Sequence, residues 1–348
     1  MKILITGNMG YIGPTLVKTL RNAYPEAILA GVDTGFFGHC LTGAQVLPES
    51  RIDIQCFQDV RDIEPALLEG VDAVVHLAAI SNDPMGKAFE EITAEVNHRA
   101  SVRLAKAAKE MGVNRFVFAS SCSVYGYAEG AARDEDSELN PLTAYARSKI
   151  STETDIQHLA GDDFVITSLR FPTACGMSER LRLDLVLNDF VAAAVASKKI
   201  TILSDGTPWR PLIDIKDMTQ AMEWAIGRPT SSGGAFLAIN VGCTEWNYQI
   251  RDLAQAVREE MPEVEINPHA QPDKRSYQVD FSRYKALAPQ QLPQVGLRQS
   301  IRELREGLEC MGFHNAEFRN SDYMRLKVLM GLRDKGLLDS ELRWQMRA

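Results

Sequence analysis

The chain opens on a strand-like run, Lys2–Thr6, that passes directly into Thr6-Gly7-Asn8-Met9-Gly10-Tyr11-Ile12-Gly13 and then into a helical stretch through Leu20. Few folds accept this order. A strand that turns on glycines into a helix is the first half of a crossover unit, and such units build parallel sheets. Further apolar runs at Ile28–Val32, Ile52–Phe57, Ala73–Leu77, Phe116–Ala119 and Val165–Leu169 are mostly separated by helix-length patterned segments. The alternation predicts an α/β chain with a doubly wound parallel sheet covered by helices on both faces. The second half is less regular, with turn-rich stretches around Ser204–Pro211, Thr230–Gly234 and Asn267–Lys274. Segments Tyr248–Met261 and Leu297–Met311 have helical spacing, and Ser321–Arg347 reads as a polar helical tail. The expected division is a larger lobe of residues 1–170 plus about 211–242, interleaved with a smaller α/β lobe of about 171–210 plus 243–348.

Composition narrows the class. Apolar residues at 45% and charged residues at 24% suit a packed globular protein. The net charge of -8 is spread along the chain without a Lys/Arg-rich run, which argues against nucleic acid as a partner. The six cysteines, at 40, 56, 122, 175, 243 and 310, form no C-x-x-C pair, so neither a metal site nor a disulfide framework is expected. They read as reduced thiols of a cytoplasmic protein. MKILITG lacks the regions of a secretory signal, and no run of about 18 apolar residues offers a membrane span.

The first glycine turn leaves room for a pyrophosphate to approach backbone N–H groups at the positive end of a helix. Its spacing, G-x-x-G-x-x-G over Gly7, Gly10 and Gly13, is ambiguous alone, since any strand-to-helix turn can carry glycines. Asp33, at the end of the second apolar run, stands where an acid would bind a ribose 2′-OH. The sequence from strand to acid therefore describes a Rossmann-type dinucleotide site. A carboxylate there repels a 2′-phosphate and no arginine follows in Thr34-Gly35-Phe36-Phe37, so NAD is expected over NADP.

A second constellation follows. Phe116–Ser121 is a strand ending in hydroxyl side chains, at the sheet end where ligands bind. Tyr145-Ala146-Arg147-Ser148-Lys149 then begins a helical pattern that turns Tyr145 and Lys149 to one face. A phenol is a weak base at neutral pH, but a nearby ammonium favours its phenolate. Y-x-x-x-K recurs at Tyr323-Met324-Arg325-Leu326-Lys327, without a serine-bearing strand before it, and there it reads as ordinary tail residues.

With these residues the chain resembles the extended short-chain dehydrogenase/reductases, in particular the nucleotide-sugar epimerase/dehydratase family. The likeness extends to Asp59-Val60-Arg61-Asp62, His76-Leu77-Ala78-Ala79, Asn97, Leu169-Arg170-Phe171-Pro172, the Arg182–Asn188 and Arg210–Asp217 segments and Asp273–Tyr277. It implies catalysis by Ser121, Tyr145 and Lys149. It implies NAD contacts from Gly7, Gly10, Tyr11, Ile12, Gly13, Asp33, Asp59, Val60, Leu77, Ala78, Ala79, Asn97, Tyr145, Lys149 and Phe171. The nucleotide sugar is assigned to Ser81, Asn82, Ser121, Ser123, Thr173, Arg182, Asn188, Arg210 and Arg275. Arginines suit a diphosphate because a planar fork engages two oxygens. The loop Ala79–Met85 either reads sugar hydroxyls or shapes a turn.

One departure carries weight. Where the family's 4,6-dehydratases have an Asp-Glu pair after the active-site hydroxyl, this chain has Cys122 and Ser123. The resemblance therefore implies an NAD-dependent epimerase acting at C4 through a transient keto sugar. A ketoreductase or dehydrogenase using the same triad is the alternative, and a dehydratase or a non-catalytic dinucleotide sensor fits less well. A homodimer through the helices around Lys87–Met111 and Tyr145–Leu159 is the family expectation.

Overall fold

The computed structural model of the chain describes residues 1–128, 130–271 and 276–345, with 268–271 described by backbone alone. Its strands are β1 Lys2–Thr6, β2 Ile28–Asp33, β3 Ile54–Phe57, β4 Ala73–His76, β5 Arg115–Ser121, β6 Val165–Phe171, β7 Thr173–Cys175, β8 Lys199–Ser204, β9 Trp209–Asp214, β10 Phe236–Asn240, β11 Asn247–Gln249 and β12 Glu265–Gln271. Seven of them form one sheet in the order β10-β6-β5-β4-β1-β2-β3. Every pairing in it is parallel. The chain is thus a Rossmann-type α/β fold, as its alternating pattern requires.

The strands are apolar throughout because both faces are covered. Leu4, Val74, Phe116 and Ile166 bury against Leu104 and Ala108 of helix Ala100–Glu110. Ile3, Ile5, Val75 and Val117 lie in the opposite core with Leu16 and Leu20 of helix Gly13–Ala23 and Met218 and Met222 of helix Ile215–Gly227. Because side chains alternate along a strand, adjacent residues of β1 serve different cores.

β9 joins β7 and β11 in a separate three-stranded sheet, and helix Ile215–Gly227 then packs on the large sheet. The seventh strand, β10, is a short alanine-containing run that periodicity alone does not single out. At the C-terminus a helix spans only Arg325–Asp334 of the expected tail. Gly336 ends it in the left-handed region at φ +66°, with Gly336 N–H donating to Arg333 O and Leu337 N–H to Leu332 O. Such a glycine stop satisfies the last carbonyls and redirects the chain. The tail then packs on the larger layer, where Leu329, Leu338 and Leu342 join Ile80, Met85, Phe89 and Ile92.

Among the described residues no helix is long and apolar enough to cross a membrane. No group of His, Cys, Asp or Glu among them is arranged to hold a metal ion.

The first turn is close-packed. A Cβ added at Gly13 would lie 1.9 Å from Asn8 O, an overlap that backbone cannot absorb. Gly13→Ala is expected to lower stability by about 1–3 kcal/mol, the usual cost of overpacking. Gly227→Ala, at a helix end with nothing within 4 Å, should leave stability unchanged or raise it. Urea unfolding midpoints of the two variants check the contrast.

Candidate active site

The ends of the parallel strands open on one cavity of about 1020 Å³ lined by residues from both lobes. At one side the first turn leaves β1, and Gly7 takes φ +76°. A Cβ there would lie 2.7 Å from Ala78 N, so only glycine lets the turn and the Leu77–Ala79 loop meet. Gly7, Gly10, Tyr11 and Ile12 line the cavity, and Gly13 packs behind them. Asp33 reaches the same space from β2, accepting hydrogen bonds from Met9 N (3.0 Å) and Gly35 N (2.8 Å). Burial pushes its carboxyl pKa up, against those two bonds. Asp59 and Val60 complete this side, with the buried Arg61 guanidinium bonded to Asp59 at 2.6 and 2.9 Å.

A buried relay fixes the adjoining loop. Ser101 Oγ donates to Asn97 O (2.8 Å) and so accepts from His76 Nε2 (2.7 Å). His76 Nδ1 then accepts from Thr6 Oγ1 (2.6 Å). Burial and the Lys149 charge hold the His76 pKa down to about 3, so the ring stays neutral. Asn97 does not line the cavity. Within a π-helical turn, Glu95–Arg99, its amide accepts from Ile80 N (2.7 Å) and donates to Ile80 O (3.0 Å) and Ser148 Oγ (3.2 Å). It clamps the wall loop to the helix behind the site.

That helix, Ala144–Ile156, brings Tyr145 and Lys149 to the middle of the cavity beside Ser121 at the end of β5. Thr143 caps it through Ala146 N, 3.1 Å away. Lys149 Nζ donates to Ala119 O at 2.6 Å and lies 5.5 Å from the Tyr145 ring centre. Burial lowers the Lys149 pKa to about 7. Burial pushes Tyr145 up to about 12, with the Ser121 hydroxyl pulling the other way. Without a further positive charge the phenol is therefore protonated at neutral pH. Cys122 is fully buried, its thiol donating to Arg170 O (3.2 Å), whereas Ser123 lines the cavity. The Ser120 and Ser123 hydroxyls have no hydrogen-bond partner among the described residues.

The far side is polar and cross-tied. Arg182 makes a two-pronged pair with Asp184 (2.6 and 2.9 Å) and donates to Ser81 Oγ (2.9 Å), while Asn82 Nδ2 donates to Asp184 (2.7 Å). Thr173, Phe171 and Arg210 also line it. Asn188 does not. It is wholly buried, accepting from Gly176 N (3.1 Å) and donating to the Tyr11 hydroxyl and Arg182 O (both 3.0 Å). Its place is beneath two wall residues, which the resemblance alone did not distinguish from a ligand contact. Arg275 lies outside the described residues. Tyr323 and Lys327 of the second Y-x-x-x-K match do not line the cavity, although Met324 and Arg325 between them do, and Tyr323 packs edge-on against Phe313 at 5.5 Å.

Sequence reasoning missed several wall residues. Asp184 had a signal, since residues two apart in an extended segment face the same way as Arg182. Arg319, paired with Asp189 at 2.6 and 2.8 Å, and the tail residues Arg325, Leu329 and Leu342 had none, because their proximity comes only from the folded chain.

Glycine turn, acid-ended second strand and a Ser/Tyr/Lys cluster gather at one end of a parallel sheet, where folds of this kind bind dinucleotides. The model of the NAD dependent epimerase/dehydratase family matches residues 3–242, and the chain belongs to that family. It is an enzyme of this family, with NAD as cofactor. Among its relatives, an uncharacterized UDP-glucose epimerase, YtcB, of Bacillus subtilis is 32% identical over 70% of this chain and 78% of its own length. A UDP-glucose 4-epimerase of Mycolicibacterium smegmatis is 28% identical over 86% of this chain and 96% of its own. The structure of MoeE5 in complex with UDP-glucose and NAD shares the fold at a TM-score of 0.76 and 24% identity, covering 89% of this chain and 99% of that one.

The residues present fit NAD: a close-approach glycine at Gly7 and a partly buried carboxyl at Asp33 face one space. NAD is expected to bind at least about tenfold more tightly than NADP, equivalent to about 1.4 kcal/mol. Equal affinities in a calorimetric titration would remove Asp33 from ribose recognition. Tyr145→Phe should fold and retain NAD while losing about 10²–10⁴-fold in turnover. Tyr323→Phe, assayed beside it, should keep wild-type activity; the reverse pattern would exchange the two tyrosines' roles.

Proposed function

We propose that the protein is a UDP-sugar 4-epimerase that keeps its NAD through the catalytic cycle. The observation that carries this reading is the placing of Tyr145, Lys149 and Ser121 in one cavity, with the glycine turn on one side and the polar Arg182–Asp184 wall on the other. The relatives' named activities supply the sugar nucleotide and the carbon.

Tyr145 takes the proton from the sugar hydroxyl, and Ser121 donates a hydrogen bond to the same oxygen as charge develops on it. In its protonated form Lys149, held by Ala119 O, stands near the phenol and favours the phenolate. NAD, held at the Gly7 turn and Asp33, would supply the hydride acceptor and donor for the sugar carbon. After the keto sugar turns, Tyr145 returns its proton and the other face of the carbon is reduced. Arg210 and Arg182 are the cationic residues assigned to the diphosphate, whose binding energy, remote from the reacting carbon, retains the sugar while it rotates.

Elimination of water needs an acid and a base next to Ser121. Cys122 is buried with a thiol whose pKa burial raises well above its usual value, and Ser123 is a hydroxyl. Epimerisation needs neither.

Purified protein without added nicotinamide is expected to interconvert UDP-glucose and UDP-galactose, or another UDP-sugar pair differing at C4, for many turnovers per bound NAD. Chromatography of the sugars with absorbance of reduced cofactor checks this. Dependence on added NADH or NADPH, one consumed per product, would establish a ketoreductase instead.

A further inference from the structure

The family match ends at residue 242, yet the described tail comes back to the first lobe and lines the same cavity. Arg325, Leu329 and Leu342 share that wall with Asp33, Phe36 and Asp59. The tail is fastened to the very elements that frame this side. Trp344 Nε1 donates to Thr34 O at 2.7 Å, one residue past Asp33, and its ring lies 5.7 Å from that of Phe36. Arg61, paired with Asp59, also donates to Glu341 O (2.8 Å) and Leu342 O (3.4 Å), and Arg343 pairs with Asp62.

Leu342 is the informative residue. It is buried at 2% exposure and holds φ +55°, a left-handed conformation that a branched side chain rarely adopts. Strain of this kind persists only where the surroundings enforce it, and it gathers at binding sites. Here the Arg61 bonds and the Trp344 anchor hold the backbone on both sides of Leu342, which turns its side chain onto the cavity wall.

We propose that the C-terminal segment is part of the NAD site: Leu342 and its neighbours form the outer wall of the adenosine end, so NAD leaves only when this segment peels from Thr34 and Arg61. The inference rests on the reading that adenosine lies between Asp33 and Asp59. Retention is what an epimerase needs, since a cofactor lost between the two hydride transfers strands a keto sugar.

The test uses the full chain loaded with radiolabelled NAD and chased with excess unlabelled NAD. Leu342→Gly and Trp344→Ala are expected to release label at least tenfold faster than the wild type. Because Leu342→Gly relieves the strained φ but also removes a side chain buried with Leu329 and Leu338, the thermal midpoint of each cofactor-free variant is measured beside its release rate, and faster release only in variants whose midpoint falls overturns the proposal in favour of a purely structural role. Trp344 is 43% exposed, so its variant decides the matter if Leu342→Gly does not fold. Release as slow as wild type in the folded variants overturns the proposal. Asp33→Ala run alongside separates the two levels. If it loses NAD while the tail variants hold it, only the tail's role falls; if it holds NAD like the wild type, the adenosine assignment itself falls.

Discussion

The candidate site depends on a helix most of whose buried side chains are polar. Ser148, Lys149, Thr152 and Glu153 of helix Ala144–Ile156 all lie inside the protein. Each is satisfied: Ser148 by Tyr145 O and the Asn97 amide, Lys149 by Ala119 O, Thr152 by Asn97 O, and Glu153 by Ser168 and a 2.7 Å pair with Arg170. Packing alone would let such a helix slide or rotate. Directional bonds to β5, β6 and the π-turn around Asn97 fix both its height and its rotation, and thereby where Tyr145 and Lys149 stand against Ser121. Buried polar networks that are fully satisfied specify a single arrangement, and removing one member leaves the others unpaired at a cost.

This explains what could be read in the sequence. The large sheet was legible because fully buried parallel strands advertise themselves as apolar runs, and all of the first six begin and end within two residues of the expected positions. The glycine turn, Asp33 and Tyr145/Lys149 were legible because each is a local spacing with a direct physical meaning. Asn97, Asn188 and Arg61 were recognisable only as members of a pattern. Their actual work, clamping Ile80, holding Tyr11 against Gly176, and fastening the tail, depends on partners far away in the chain. Arg319 and Leu342 left no trace at all, since nothing local distinguishes a wall residue from an ordinary one.

The buried cations show the same division of labour. Arg180, Arg228 and Arg325 are all but inaccessible to solvent. Arg180 is matched by Glu49, whereas Arg228 and Arg325 donate to backbone carbonyls, Arg228 at Ile166, Ser232 and Gly234 and Arg325 at Arg180 and Leu181. Guanidinium forks here tie loops to one another and to β6.

The bond from Trp344 to Thr34 joins residues 310 apart in sequence. During synthesis the glycine turn and the first two strands emerge well before the segment that closes over them. Until that segment follows, the apolar surface of Ile80, Met85 and Phe89 lacks the cover of Leu329, Leu338 and Leu342. Contacts of such long sequence separation are the slowest to form.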